Sequence, residues 1–339
     1  MKFGVTSVLG PSAIGDPFFF ADQIVEQAVW AERYGWESYL FGEHHGIQTY
    51  LPNPFMGAMY IAAKTNRIKV GTFLALAPLY NPIRLAENIA VLDVLSKGRA
   101  EIALGMGYQP HDFLPFNLPI KQRVSRLEES VEIVKRAFKG EKFNFSGRRY
   151  QINDFDLQPK PLQEGGPPIY LGAWSVPGAR RAARISDGIS LAPVPKLSTN
   201  KALVNEYIRA ARQAGKEPYI VASLEGWLAR DKDTAVKEVG KYLLPPFVYF
   251  WEAGGIQDLP PNIKTKDQIT WEVMAEDRWV FGSIDDGIAM IERLQKEFQA
   301  KELIMVLQQG DGKPPQRMVL EQMKLWGEKV IPYFDRASR

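Results

Sequence analysis

Apolar residues along this chain fall into short continuous runs separated by stretches of helical spacing. Lys2 to Val8 reads as strand one. Asp16-Pro17 then opens a helix, the aspartate capping free amides and the proline suiting the first helical position. Ala21, Ile24, Val25, Ala28 and Ala31 follow on one face of it. Tyr34-Gly35 ends the helix, and Trp36 to Gly42 is strand two. Asn53-Pro54 opens helix two, which runs to about Lys64. Ile68 to Ala77 is strand three, apolar throughout as in strands buried on both faces. Asn81-Pro82 opens helix three, which Ser96-Lys97-Gly98 ends, and Ala100 to Leu104 is strand four. Strands alternating with helices of this length argue for a parallel sheet.

The alternation continues. His111 to Pro119 reads as loop, Arg123 to Phe138 as helix, and residues 141–166 as a hairpin or loop excursion turning at Ser146-Gly147. Pro168 to Gly172 is strand five, and Asp187-Gly188 turns the chain into strand six, which ends at Ala192. A helix covers about Thr199 to Gly215, strand seven Tyr219 to Leu228, and a further helix Asp231 to Leu244. Residues 245–280 form an insertion rich in aromatics, Phe247, Tyr249, Phe250 and Trp251 among them, either a satellite core or a lid or substrate wall. Ser283 and Asp286 make a capping box for a helix to Phe298; Glu302 to Leu307 is strand eight, and a last helix runs from about Pro315 to Val330. Eight strands fit an α/β fold of the (β/α)₈ TIM-barrel type, one domain over residues 1–339, its largest insertion between strands seven and eight. The rival doubly wound sheet usually carries a glycine fingerprint after its first strand, and Gly4 to Gly15 has none.

Composition narrows the classes. No run of eighteen apolar residues exists, so no membrane helix is expected. The chain enters a strand at Lys2 without a signal-peptide core, and the expected location is cytoplasmic. The absence of cysteine excludes disulfides, thiolate ligands and cysteine nucleophiles. Net charge is +3, from 42 basic and 39 acidic residues in mixed order, which gives nucleic-acid binding no support.

Candidate chemistry concentrates at Phe41-Gly42-Glu43-His44-His45, which holds two of the three histidines where strand two gives way to a loop. In a barrel that rim carries active sites. The pair reads either as rim histidines bonded to the loop or as a general acid or base. Neighbouring residues in extended chain point to opposite faces, so the two do not easily share a metal ion. Glu43 for the same reason is not assigned as partner of His44. Gly105-Met106-Gly107-Tyr108-Gln109-Pro110 begins like a dinucleotide loop but has proline in place of the third glycine. Trp174-Ser175-Val176-Pro177-Gly178 opens a helix with small residues and a capping serine, either an ordinary cap or a phosphate site.

Taken in order, several of these segments resemble the bacterial luciferase-like, flavin-dependent monooxygenases. They are Met1-Lys2-Phe3-Gly4, Glu43-His44-His45, Val70-Gly71-Thr72, Pro82 to Glu87, Leu92 to Arg99, Asp112-Phe113 and Met323 to Phe334. The resemblance implies reduced FMN (FMNH2) at the C-terminal rim, with His44 as the catalytic histidine beside the flavin's reactive edge. It places Phe73-Leu74 under the ring, where luciferase has a non-proline cis peptide, and Asp112 near the ring. It assigns Trp174, Ser175, Val176 and Gly178 to the phosphate, with Arg123, or else Arg126, as the charged contact. Met106 stands where luciferase has a phosphate-contacting arginine, and Gly105 where it has a reactive cysteine.

The expected activity is oxygenation of a small apolar substrate by molecular oxygen through a flavin C4a-hydroperoxide. A separate reductase would supply the reduced flavin, since the chain has no nicotinamide fingerprint. Hydride transfer with the deazaflavin F420, used by relatives of this fold, is the alternative; a non-catalytic flavin-binding protein is a third. Helix two is apolar on nearly all sides, and with helix three it forms the expected homodimer face.

Overall fold

In the computed structural model, residues 1–8, 17–46, 50–252, 254–256, 258–309 and 313–337 are described. Eight parallel strands run β1 (Lys2–Val8), β2 (Ser38–Phe41), β3 (Lys69–Leu76), β4 (Ala100–Gly105), β5 (Ile169–Gly172), β6 (Gly188–Ser190), β7 (Ile220–Leu228) and β8 (Glu302–Gln309). Each pairs with the next, β7 with β8 across the insertion, and β8 pairs with β1, closing a TIM barrel. All eight strands expected from the sequence are present.

The helix starts follow their sequence signals. Asn53 accepts from the Met56 amide at 3.2 Å and Asn81 from the Ile83 amide at 2.9 Å, each ahead of a first-turn proline. Ser283 and Asp286 form the reciprocal capping box. Asp16 lies outside the described residues. The excursion after helix Arg123–Phe138 is an antiparallel hairpin of Phe143–Ser146 with Gln151–Phe155. Inside the barrel, Leu40, Phe73, Ala103, Tyr170, Val221 and Ile304 pack across the axis.

Three expectations are corrected. Helix two ends at Ala62, short of Lys64. The stretch expected as loop after Gln109 contains a short helix, Pro110–Phe113, because Pro110 is preset for a first helical turn. The helix expected to stop at Leu244 runs Lys232–Glu252 straight through Pro245 and Pro246. Proline removes a backbone donor and ordinarily breaks a helix. Here Pro246, Phe247 and Phe250 are buried, and Phe247 and Phe250 join a satellite core with Trp227, Met274 and Trp279. Burial of such rings outweighs the roughly 3 kcal/mol that an interior proline costs.

Two glutamates point to a pH dependence. Burial pushes Glu225 on β7 up to about 8 from an ordinary 4.5. Burial, then the charge of Glu101, raises Glu302 on β8. The folded chain therefore holds protons that the unfolded chain releases, and stability falls as pH rises from about 4.5 toward 8. Glu225→Gln should match the wild type in thermal melts at pH 5 and be the more stable at pH 8. Parallel curves at both pH values would refute this.

Candidate active site

At the C-terminal rim a cavity of about 190 Å³ opens on the barrel axis. Its walls are mostly apolar: Phe73, Leu74, Leu76, Met106, Tyr50, Tyr108, Trp174, Val194, Phe250 and Val306 contribute to it. Glu43 and His44 bring a carboxylate and an imidazole to it and Tyr50 and Tyr108 bring phenols, while its described lining residues include no lysine or arginine. Leu74 fills the floor because its neighbours lack side chains. A Cβ on Gly172 would lie 2.4 Å from Leu74 Cδ1, and one on Gly105 3.2 Å from it. The glycine at the position of luciferase's cysteine thus makes room for Leu74. The Phe73–Leu74 peptide is cis.

Two carboxylates hold the histidine pair. His44 Nδ1 lies 3.2 Å from Asp112 Oδ2, and the His45 amide donates to Asp112 Oδ1 at 2.9 Å. Asp112 has no exposed surface. Burial alone would raise its pKa, but the hydrogen bond and charge of His44 and the His45 amide together hold it below the usual carboxylate value. Glu43 serves the other histidine: its Oε1 is 2.7 Å from His45 Nε2, and its Oε2 accepts from the Leu76 amide at 2.8 Å and the Tyr80 hydroxyl at 3.0 Å. With Nδ1 turned to Asp112, Nε2 is the ring nitrogen that His44 has left for the cavity. Tyr50 packs edge-on against that ring at 4.8 Å and Tyr108 at 6.2 Å.

Trp174 lines the cavity, with its ring 4.7 Å from Tyr108. It leads directly into helix Val176–Ile185. Ser175 caps that helix, accepting from the Gly178 amide at 3.3 Å, while Pro177 has no N–H. Helix geometry then leaves the Ser175 and Val176 amides without intrahelical partners. Arg123 and Arg126 stand apart from the cavity lining. Arg123 donates to the Ile120 carbonyl at 3.2 Å, and its buried Nε has no partner among the described residues. Arg126 is engaged with Gln122 at 3.3 Å and the Tyr150 hydroxyl at 3.1 Å.

The structure thus brings His44, Phe73, Leu74, Met106 and Trp174 to one cavity, sets Asp112 behind His44, and puts Ser175, Val176 and Gly178 at the adjoining helix start. Phe250, one of the insertion aromatics expected as satellite core or as lid and substrate wall, lines the cavity, whereas sequence reading missed Tyr50 and Tyr108 as walls. The sequence carried no signal for Tyr50; Tyr108 sits in the rim motif after β4. No cluster of three or more metal-binding side chains occurs among the described residues, and none of their helices is long and apolar enough to cross a membrane.

The family model for luciferase-like monooxygenases matches residues 1–278. The chain belongs to this family. Among its luciferase-like relatives, protein y4vJ of Sinorhizobium fredii is 27% identical over 91% of this chain and 90% of its own length. The oxygenase component of the flavin-dependent trigonelline monooxygenase of Acinetobacter baylyi is 31% identical over 45% of this chain and 43% of its own length. The F420-dependent glucose-6-phosphate dehydrogenase of Kineococcus radiotolerans is 25% identical over 80% of this chain and 82% of its own. Among solved structures, monooxygenase RslO1 of Streptomyces bottropensis superposes with a TM-score of 0.80 at 23% identity, covering 98% of this chain and 100% of that one. The oxygenating constituent of 3,6-diketocamphane monooxygenase from Pseudomonas putida, in complex with FMN, gives 0.77 at 20% identity over 98% of each chain. The family is one of oxidoreductases, some named as monooxygenases and others as F420-dependent dehydrogenases.

Proposed function

We propose that this chain is the oxygenating component of a two-component monooxygenase that uses reduced FMN and molecular oxygen on a small apolar substrate. One observation carries the reading: a mostly apolar rim cavity with a carboxylate-held histidine in its wall and no lysine or arginine among its described lining residues. Such a cavity excludes water and offers a charged substrate no counter-ion. The site also fits the cofactor. Leu74, whose side chain takes the room left at Gly105 and Gly172, forms an apolar floor, and the adjoining helix start presents two amides suited to a phosphate.

Reduced FMN would supply the two electrons that leave one oxygen atom in the product and the other in water. The protein binds, orients and shields. Leu74 and Phe73 support the flavin ring from the floor, and Trp174 flanks it. Ser175 and Val176 hold the phosphate through their amides and the serine hydroxyl, with Gly178 keeping the helix start open and Arg123 adding charge. Met106 lines the wall without a phosphate contact. His44 moves a proton at Nε2 while Asp112 fixes its tautomer at Nδ1. The chain acts as one domain, with the insertion as a lid. Purified protein should change the rate at which chemically reduced FMN consumes oxygen relative to the free flavin, and identical rates with and without protein would overturn the reading. Oxidation of NADH by the protein alone would overturn the need for a separate reductase.

A second reading, hydride transfer with F420, has its own support, since the F420-dependent relative aligns over 80% of this chain and the named monooxygenase over 45%. Anaerobic reduction of F420 by an alcohol or sugar phosphate, with FMNH2 oxidation by oxygen unchanged by the protein, would establish it.

Two further outcomes are expected. Arg123→Ala should weaken FMN binding about tenfold and make it less sensitive to salt, because a charge-assisted phosphate contact is worth roughly 1.5–3 kcal/mol before screening. Unchanged affinity in fluorescence titration transfers the role to Arg126, or removes arginine from the site if Arg126→Ala is also silent. The protein should also be a homodimer. Met56 and Tyr60 on helix Pro54–Ala62 and Leu95 at the end of helix Pro82–Leu95 are exposed, 58%, 42% and 61%, while the opposite faces pack inward. Light scattering should give twice 38.3 kDa at micromolar concentration; a monomer mass contradicts the interface.

A further inference from the structure

The insertion reaches the cavity through one hydrogen-bonded chain. The Tyr249 hydroxyl donates to Gln109 Oε1 at 2.8 Å, and Gln109 Nε2 donates to the Tyr108 hydroxyl at 2.7 Å. Gln109 is 1% exposed and, although it precedes helix Pro110–Phe113, its side chain makes no cap. Tyr108 and Phe250, the neighbour of Tyr249, both line the cavity. The chain then folds back. The Gly255 amide donates to the Phe250 carbonyl at 2.8 Å, and a Cβ on Gly255 would lie 3.4 Å from Tyr108 Cε2 and 3.8 Å from Trp174 Cζ3. Backbone of the insertion thus rests on the same two rings that wall the cavity, and Tyr108 in turn packs against His44.

We propose that Tyr249, Gln109 and Tyr108 form a latch that fixes the substrate end of the cavity, with Gln109 as the positioning residue and Tyr108 and Phe250 as the residues that set the width of apolar substrate admitted. This rests on the cavity being the oxygenation site, though the latch can be tested without flavin or turnover. Gln109 hydrogen-bonds to both sides. It holds a hydroxyl from the insertion on its acceptor and a hydroxyl from the barrel rim on its donor, so losing either bond strands the other partner in a buried setting. Closed, the latch brings Phe250 over the cavity and holds Tyr108 upright beside His44. Open, it would widen the cavity toward the insertion.

The test compares wild-type protein with Tyr249→Phe, which removes one hydroxyl, and Gln109→Met, which removes both bonds at similar volume. Gln109→Glu serves as rescue, because a carboxyl group in either protonation state can engage both hydroxyls. Hydrogen exchange should quicken about two- to tenfold at the Gly254 and Gly255 amides in the first two variants, the range expected for loss of one net hydrogen bond. Amides of β1 to β4 should not change, and Gln109→Glu should restore wild-type protection. Nile red, an uncharged apolar dye, should bind weakly to the wild type and several-fold more brightly to Tyr249→Phe, Gln109→Met and Phe250→Ala. Unchanged exchange and dye emission in both latch variants would overturn the proposal. So would equal acceleration in the barrel strands, or a Gln109→Glu variant as loose as Gln109→Met. An FMNH2 oxidation rate in oxygen that the protein leaves unchanged, with the latch results intact, would instead overturn the flavin reading alone.

Discussion

His44→Ala is expected to lower turnover with reduced FMN, oxygen and an authentic substrate about 10²–10⁴-fold, the usual contribution of a positioned acid or base. The flavin's affinity should change little, because the proposed phosphate contacts lie on the loop after β5 and on helix Arg123–Phe138. Asp112→Asn should reproduce part of the loss, since an amide placed 3.2 Å from Nδ1 no longer enforces one tautomer. His45→Ala is the control. Its ring is bonded to Glu43 at 2.7 Å and to no group of the proposed proton path, so it should shift loop position or stability more than the chemical step. Full oxygenation by His44→Ala would return the residue to the role of a rim histidine held by its loop.

The largest loss of stability is expected from Arg278→Met. The Arg278 guanidinium is fully buried and donates to the Val194 carbonyl at 2.7 Å, to the Val273 and Met274 carbonyls at 3.4 Å, and to Asp258. Asp258 also accepts from the Lys196 amide at 2.7 Å and the Thr199 hydroxyl at 2.8 Å, at the start of helix Leu197–Gln213. Removing the arginine leaves three carbonyls and a half-buried carboxylate short of a donor, a change that costs roughly 3–5 kcal/mol for buried pairs. Urea titration should show a drop of about that size, and the double variant Arg278→Met with Asp258→Leu should recover part of it. A drop below about 1 kcal/mol would show that the pair behaves as a surface contact. Burial would raise Asp258, but its amide, hydroxyl and guanidinium donors bring it below the usual carboxylate value. The contribution of Asp258 is therefore in place at neutral pH and lost as pH falls through that lowered value.

Arg278 shows where sequence reading runs out. Val194, Asp258, Met274 and Arg278 are spread over 85 residues, and nothing in local spacing announces that they meet. The same holds for Asp112 and His44, 68 positions apart. Asp112-Phe113 was read as a family match near the flavin ring, yet its bond to the histidine Nδ1 appears only in the folded chain. Helix Lys232–Glu252 failed in the other direction. The local rule that proline ends a helix was sound, and the satellite core around Phe247 and Trp279 overrode it. That extra helical length carries Tyr249 to Gln109 and Phe250 to the cavity.

The sequence by itself determined the eight-strand count, the Asn-Pro and Ser caps that start the helices, the turn at Ser146-Gly147 and the rim position of His44. These depend on backbone periodicity and on side chains acting within a few residues, where the chain's own connectivity supplies the proximity. Tertiary structure alone decided which carboxylate holds which histidine, which aromatic rings wall the cavity and how far the helix before the insertion extends. Each of those is a contact between distant segments, and its energy comes from burying rings and pairing polar groups that only barrel closure brings within reach.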